Sequence, residues 1–188
     1  AVHFRENHGH ICEASNNAID LARGEFLGFL DHDDELHRDA LSEMARAIGE
    51  HPEVRLLYSD EDKIDESGDR YEPHFKPAWN PDLLCGQNYV CHFTVIQAEL
   101  VRELGGLRPG YEGAQDHDLI LRCAERIRPD QIVHVPKVLY HWRSSGESTA
   151  QSGGSKPYAL DAGRRAIEDH LGRTGVDASV EVTQHGYY

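Results

Sequence analysis

The sequence predicts a single α/β domain in which helices flank a mixed, mostly parallel β-sheet. A chain of 188 residues suffices for one compact domain with its own core. Apolar runs of strand length alternate along it with amphipathic stretches of helical period, which is typical of α/β proteins. One run, Phe26 to Leu30, is almost continuously apolar and ends in acids, as a strand buried on both faces of a parallel sheet does.

Periodicity and breaker residues locate the first elements. Residues 2–4 have the composition of a strand end, and a short helix is predicted over 16–23. After the strand at 26–30, apolar residues recur at i, i+3, i+4 and i+7 between 38 and 49, which predicts an amphipathic helix. Residues 54–59 form the next predicted strand.

Residues 60–87 are polar and rich in turn formers, so we predict a long loop there, and such loops in compact domains are usually functional. Its acids at 60–62 are interpreted as a solvated turn, because the segment lacks the calcium-binding EF-hand spacing. The remaining predicted elements are a strand at 92–97, helices at 98–104 and 116–127, strands at 132–135 and 138–142 separated by Pro136, a helix at 156–172 and a strand at 179–188.

Charge and composition argue against several functions. The formal net charge of -14 disfavours binding to nucleic acid or to anionic lipid, since both need a positive field. No apolar run is long enough to span a bilayer, and no signal-peptide pattern precedes the domain. The 4 cysteines form no Cys-x-x-Cys pair and are interpreted as free thiols. We therefore expect a reducing, cytoplasmic location.

The strongest candidate site is the acidic cluster 31–35, which directly follows the apolar strand. Its acids repel one another, and such a group is costly to hold together without a cation. Strand geometry points Asp31 and Asp33 to the same side, where they make a partial ligand shell for Mg²⁺ or Mn²⁺. Open α/β folds also bind ligands at the carboxyl ends of their strands. The alternative is a solvated loop that caps the next helix.

A second cluster lies at the start of the predicted helix 116–127. The glycine-containing segment 112–115 leads into this helix. Asp116 at a preorganised helix end could accept the proton of an attacking hydroxyl, as a general base. The alternative is structural, with Asp116 or Asp118 capping the helix.

Two further candidates end the predicted strand 138–142. His141 could bind a metal, and Arg143 could neutralise a phosphate group. The alternative for the histidine is a structural residue whose ring is satisfied by hydrogen bonds.

Taken in order, these motifs resemble the family 2 glycosyltransferases of the GT-A fold, particularly bacterial enzymes of O-antigen, rhamnan-type and other cell-wall polysaccharide assembly. The similarity covers nearly the whole chain, which makes it more specific than any one motif. It is carried by the segments 16–25, 29–34, 58–62, 75–77, 88–89, 105–108, 115–119 and 141–143.

The resemblance implies metal-dependent sugar transfer with inversion at the anomeric carbon. Asp31 and Asp33 would form the family's Asp-x-Asp motif, with both as metal ligands and Asp31 also facing a nucleoside-diphosphate sugar. His141 falls where many such enzymes place a third ligand to Mn²⁺ or Mg²⁺. Asp116 matches the catalytic base, and Arg143 would contact the donor diphosphate.

The implied acceptor is a hydroxyl of a glycan or of a lipid-linked saccharide. Trp79 or Tyr89 would stack on a sugar face, and Gln115 stands where the family usually has a glutamate beside the base. By the same resemblance, the parent protein would work at the inner face of the plasma membrane.

Compared with the family, the sequence begins near the third strand, so the strands that hold the nucleotide base are expected to be missing. We expect a single partial GT-A domain over 1–188, with an Asp-x-Asp part at 1–59, an acceptor and catalytic part at 60–155, and a C-terminal helix and strand at 156–188. The isolated chain is expected to be nearly inactive, to pair with another copy through its open sheet edge, and to come from a longer protein with further domains.

Two other functions remain open from the sequence. A phosphotransferase of the haloacid dehalogenase type also places Asp-x-Asp after an apolar strand and would use Asp31 as a nucleophile, but Asp34 and Glu35 stand where that pattern usually has Thr or Val. A noncatalytic metal- or carbohydrate-binding module would bind ligands without needing Asp116.

Overall fold

The computed structural model describes residues 10–144 and 157–188 and shows helices on both sides of one sheet. The sequence expectations at residues 2–4, and the first residue of the expected helix 156–172, lie outside the described ranges. The described helices are α1 His10–Leu21, α2 Ala40–Glu50, α3 Pro81–Gly86, α4 Ala98–Glu103, α5 Gln115–Ala124 and α6 Pro157–Thr174. The described strands are β1 Phe26–Gly28, β2 Glu35–Leu36, β3 Leu56–Ile64, β4 Arg70–His74, β5 Thr94–Gln97 and β6 Ile132–Arg143.

The sheet is mixed, with strand order β1-β5-β3-β6-β2 and with β4 paired to β3. The long strands β3 and β6 are parallel, whereas the β1–β5, β3–β5, β3–β4 and β2–β6 pairs are antiparallel. The α/β class is thus confirmed, but parallel pairs do not predominate among the described strands. A short turn joins β3 to β4, and such a hairpin can only be antiparallel.

Two predicted strands differ in the structure. The apolar run 26–30 contributes only the short β1, which is partly buried and antiparallel to β5, so it is not a strand buried on both faces. Pro136 does not interrupt β6, because the register with β3 passes from Val135 opposite Ser59 to Val138 opposite Asp60. The proline and its neighbour bulge out of the ladder, where a missing N–H costs nothing.

The predicted loop 60–87 and the predicted strand 179–188 are both wrong. The polar segment contains the second half of β3, the strand β4 and the helix α3. Its acids at 60–62 are buried rather than solvated, because each has a partner on a neighbouring segment. The C-terminal segment forms no strand and instead lies against α3 and α6, where the backbone N–H of Tyr188 donates to Gly86 (3.0 Å).

The core occupies both faces of the sheet. Side chains alternate along β3, so that Leu56 and Tyr58 pack in one cluster with residues of α1, α4, α5 and α6, while Leu57 packs in the other with α2. All 4 cysteines are free, as predicted. None of the described helices has the length and apolar character needed to cross a membrane.

Helix α5 is held in place by a buried charge cluster. Asp118 is fully buried and accepts hydrogen bonds from both Arg108 and Arg122, and Arg108 also reaches Asp169 on α6 (2.9 Å). Because α5 and α6 pack along each other, this cluster fixes the register of α5 and with it the position of Asp116 at its start.

Asp118→Asn should therefore destabilise the fold strongly, since it leaves two arginines without their buried counter-charge. We expect a loss of about 3 kcal/mol, which lowers the melting temperature by about 10 °C. Thermal and chemical denaturation measure it, with Asp116→Asn as the matched control. If the two substitutions change stability equally, the assignment of Asp118 as the structural acid of this helix is wrong.

Candidate active site

The acidic loop 31–35 is anchored by the end of β6. The hydroxyl of Tyr140 donates to the carboxylate of Asp34, which also accepts the backbone N–H of Arg143 (2.8 Å). The Arg143 guanidinium donates to the carbonyl of Asp33 (2.7 Å) and to the carboxylate of Glu35. Asp34 and Glu35 thus have structural partners, and Arg143 holds the loop in shape.

Tyr140 is a hydrogen-bond donor at this anchor. Burial raises its pKa, and the hydrogen bond to Asp34 raises it further, so its hydroxyl keeps its proton at any physiological pH. The same hydroxyl accepts the backbone N–H of Asp31 (3.3 Å). One tyrosine of β6 therefore links both ends of the Asp-x-Asp-Asp segment.

Asp31 has an environment unlike that of an ordinary surface carboxylate. Partial burial raises its pKa, and the negative charges of Asp34, Asp116 and Asp33 add to that effect, while His92 opposes it. This crowding of acids favours a cation or a hydrogen-bonded ligand beside Asp31, because either would relieve the repulsion.

The expected metal set of Asp31, Asp33 and His141 is not brought together. His141 is buried, and its Nδ1 lies 2.5 Å from Asp62, on the face of β6 opposite to Tyr140. Over the residues that the structure describes, no three His, Cys, Asp or Glu side chains converge on one metal position. His141 thus has the hydrogen-bond partner that the structural alternative predicts, and metal binding by Asp31, Asp33 and His141 stays a prediction.

Asp116 stands at the start of α5 without capping it. The cap position is Ala114, and no side chain makes a cap hydrogen bond there, so the structural alternative for Asp116 is not supported. Its Oδ2 instead accepts a hydrogen bond from the Nδ2 of Asn88 (2.8 Å). Since Asp118 is buried against arginines, Asp116 is the acid of this motif that is available for chemistry.

Two cavities meet at Asp116. The first is small, about 90 Å³, largely apolar, and contains Asp31 and Gln115 in its lining. The second is about 570 Å³, and Asp116 and His92 line both. The lining of the larger cavity that the structure describes is Glu61, Gln87, Asn88, Cys91, His92, Gly113, Ala114, Asp116, His117, Trp142, Tyr158, Ala159, Leu160, Gly186, Tyr187 and Tyr188.

His92 was missed by sequence reasoning, and a buried ion cluster positions it. Its Nδ1 and its backbone N–H lie 3.0 and 2.7 Å from the carboxylate of Glu61, which is also 2.9 Å from Lys76. Burial lowers the pKa of His92, but the hydrogen bond and charge of Glu61 outweigh it and raise the pKa. The ring stacks on Tyr140 and lies beside Trp142.

The structure places the three predicted acceptor residues in different surroundings, and only for Tyr89 does it contradict the prediction. Tyr89 is only 2% exposed, and its hydroxyl accepts the backbone N–H of Asn80, so its ring cannot stack on a sugar. Trp79 packs at the margin of the core and lines neither cavity. Gln115 lines the smaller cavity, with its Oε1 accepting the N–H of Gly113. Trp142 lines the larger cavity together with Asp116, and its position in the His-Trp-Arg motif was the available signal.

The sequence model described as Glycosyl transferase family 2 matches residues 1–105, and the chain belongs to that family. The expected GT-A fold is thereby confirmed, and the haloacid dehalogenase alternative is not favoured.

Curated relatives extend the match over most of the chain. An uncharacterised protein, y4gI, of Sinorhizobium fredii is 54% identical over 92% of this chain and 19% of its own length. The O-antigen biosynthesis protein RfbC of Myxococcus xanthus is 44% identical over 92% of the chain and 13% of its own length. The chain thus spans less than a fifth of either relative.

Solved structures share the fold at low sequence identity. Staphylococcus aureus TarS 1-349 in complex with UDP-GlcNAc superposes with a TM-score of 0.65 at 16% identity, over 94% of this chain and 50% of that one. Glucosyl-3-phosphoglycerate synthase of Mycobacterium tuberculosis, with Mn²⁺, UDP-glucose and phosphoglyceric acid, gives 0.54 at 19% identity, over 95% and 58%.

The Glu61 cluster predicts how stability depends on pH. Burial raises the pKa of Glu61, but the nearby His74 (3.8 Å), the hydrogen bonds from His92 and the charges of His92 and Lys76 lower it overall. A lowered pKa in the folded state means that Glu61 stabilises the protein above its unfolded pKa of about 4.3 and loses this effect as the pH falls further.

We expect Glu61→Gln to be less stable than the wild type at pH 7 and the difference to shrink between pH 5 and pH 3. Urea denaturation at a series of pH values measures both proteins. A difference that stays constant or grows on acidification would show that Glu61 is not held ionised by these partners.

Proposed function

We propose that this chain carries the catalytic part of a metal-dependent, inverting glycosyltransferase that moves a sugar from a nucleoside diphosphate to a saccharide hydroxyl. The observation that carries the proposal is the position of Asp116, which lines both the small cavity beside Asp31 and the larger cavity beside Trp142. The base for sugar transfer takes the proton of the acceptor hydroxyl, and the oxygen of that hydroxyl attacks the donor's anomeric carbon, so the base has to stand where the donor and acceptor sites meet.

The donor is assigned to the side of Asp31 and Asp33. The carboxylate of Asp33 is about half exposed and has His32 as a distant neighbour (3.6 Å), while Asp31 is crowded by other acids. Hard carboxylate oxygens of this kind suit Mg²⁺ or Mn²⁺, with diphosphate oxygens and waters completing the shell. A bound metal would neutralise the charge that develops on the leaving diphosphate. Arg143 keeps the loop in shape and adds positive charge nearby.

The reaction is assigned as a single displacement. Asp116 takes the proton of the acceptor hydroxyl, whose oxygen attacks the anomeric carbon from the face opposite the leaving nucleoside diphosphate. Asn88 donates to one carboxylate oxygen of Asp116 and thereby fixes its orientation. The bond from the sugar to the diphosphate breaks as the new glycosidic bond forms, so configuration at that carbon inverts.

The relatives and structural neighbours support the donor class. They include an O-antigen biosynthesis protein, a chondroitin synthase and glycosyltransferases in complex with UDP- or GDP-sugars and Mn²⁺. We infer from them a polysaccharide-building role for the whole protein. A noncatalytic saccharide-binding module is the second candidate, and it would bind ligands without any need for Asp116.

A thermal-shift screen of a longer protein that contains this chain, against UDP, dTDP and GDP with and without Mn²⁺, tests the donor assignment. We expect one nucleotide to raise the melting temperature by several degrees only with metal, since a ligand at 100 times its Kd adds about 2.7 kcal/mol. Asp33→Ala should abolish the shift. Asp39 is an exposed acid a few residues further along the chain, and Asp39→Ala should keep the shift. A shift that survives Asp33→Ala, or no shift with any nucleotide, would refute the assignment.

A further inference from the structure

The larger cavity has the features of a built binding site. Its volume of about 570 Å³ lies within the range of small-molecule sites, which are lined by aromatic rings and a few polar groups. Trp142, Tyr158, Tyr187 and Tyr188 supply the rings. Aromatic faces of this kind pack against the C–H surface of a sugar, while polar groups between them bind its hydroxyls.

One polar atom in this lining lacks a hydrogen-bond partner. Asn88 donates through Nδ2 to Asp116, and this bond fixes the amide, since the reversed orientation would set its oxygen against a carboxylate. Its Oδ1 is buried and is the only such side-chain atom without a partner across 10–144 and 157–188. A buried acceptor of this kind is costly unless something donates to it, so a ligand hydroxyl that reached Oδ1 from the adjoining cavity would supply the missing hydrogen bond.

The charges around the cavity select the ligand. Glu61 and Asp116 are acids in its lining, His92 and His117 are its histidines, and the described lining contains no lysine or arginine. Glu61 is neutralised by Lys76 and His92, but Asp116 has Asn88 as its partner and would repel a carboxylate or phosphate on the ligand, at a cost that grows as the site is desolvated. The cavity therefore suits an uncharged ligand.

The C-terminal segment builds one wall of this cavity. Tyr188 is held by its backbone N–H to Gly86 and by its hydroxyl to the carbonyl of Leu160 (3.1 Å). Its ring fits over Gly163 of α6, where an added Cβ would overlap the tyrosine oxygen. This segment lies outside residues 1–105, the part that the family model matches.

We propose that the larger cavity binds a neutral saccharide, with one hydroxyl on Asn88 beside Asp116 and with Tyr187 and Tyr188 of the C-terminal segment forming part of the site. This proposal rests on the proposed function, because it identifies the acceptor of that reaction. It adds that uronic acids and phosphorylated sugars are excluded, and that the segment 183–188 is part of the binding site.

Ligand-observed NMR on the 188-residue chain tests the chemistry of the ligand. The probes are methyl glycosides of glucose, galactose, mannose, rhamnose and N-acetylglucosamine, with methyl glucuronide and galacturonide as matched pairs that differ only at C6. We expect saturation transfer to at least one neutral glycoside and at least tenfold weaker binding of its uronide. A uronide that binds as well as its neutral partner overturns the proposal, as does a panel without any neutral ligand.

Substitutions on α6 test the wall. Gly163→Ala should displace Tyr188 and weaken glycoside binding by about tenfold, a typical effect of losing a buried aromatic contact. Gly172→Ala is the matched control on the same helix, because its added Cβ meets nothing within 4 Å. Tyr187→Ala removes a ring that is about half exposed, so the protein should still fold. It replaces Gly163→Ala in the test if that variant does not fold.

Faster hydrogen exchange in the segment 183–188 shows that Gly163→Ala has displaced it. If glycoside binding is unchanged in such a folded protein, the segment has no role in the binding site. Unchanged binding in Tyr187→Ala leads to the same conclusion. The rise in melting temperature with nucleotide and Mn²⁺ is measured on a longer protein that contains the chain. Nucleotide binding without glycoside binding contradicts this inference alone, whereas glycoside binding without nucleotide binding by the longer protein contradicts the proposed transferase.

Discussion

Three consecutive acids in the middle of the sheet are the constraint on which the rest of the structure depends. Asp60, Glu61 and Asp62 are all buried on β3, where unpaired carboxylates would be prohibitively costly. Each has its own partner from another part of the chain: Asp60 bonds His134 (2.7 Å), Glu61 bonds Lys76 and His92, and Asp62 bonds His141. These partners come from β6 and from the connection between β4 and β5. The three acids therefore hold β6 and this connection against the central strand β3.

The same network of contacts extends to the candidate active site. Glu61 holds His92, which stacks on Tyr140, and Tyr140 in turn bonds Asp34 in the Asp-x-Asp loop. The opposite wall is fixed independently, since the charge cluster around Asp118 sets the helix that begins beside Asp116. The site thus lies between two rigid parts, which is what a reaction that depends on positioning needs.

Sequence patterns predicted much of this and failed where tertiary contacts decide. The helix stripes, the acidic motif after β1 and Asp116 were all visible, since each depends on local spacing. The burial of Asp60 to Asp62 was not, because an acid run on its own indicates a solvated turn and its histidine partners lie far along the chain. His141 was assigned to a metal because spacing shows that a histidine ends a strand, but spacing does not show the face of the sheet to which the histidine points. Tyr89 carries a sugar-stacking side chain, yet packing against Tyr58 buries it.

In the proposed mechanism, Asp116 is the base between a donor corner and an acceptor cavity. The most direct measurement compares Asp116→Asn with the wild type for two quantities: nucleotide and Mn²⁺ binding, and sugar transfer in this chain or in a longer protein that contains it. Removal of a general base while the hydrogen-bonding shape is kept should lower the transfer rate by about 100-fold or more and leave binding nearly unchanged. Transfer at the wild-type rate in Asp116→Asn would contradict the account.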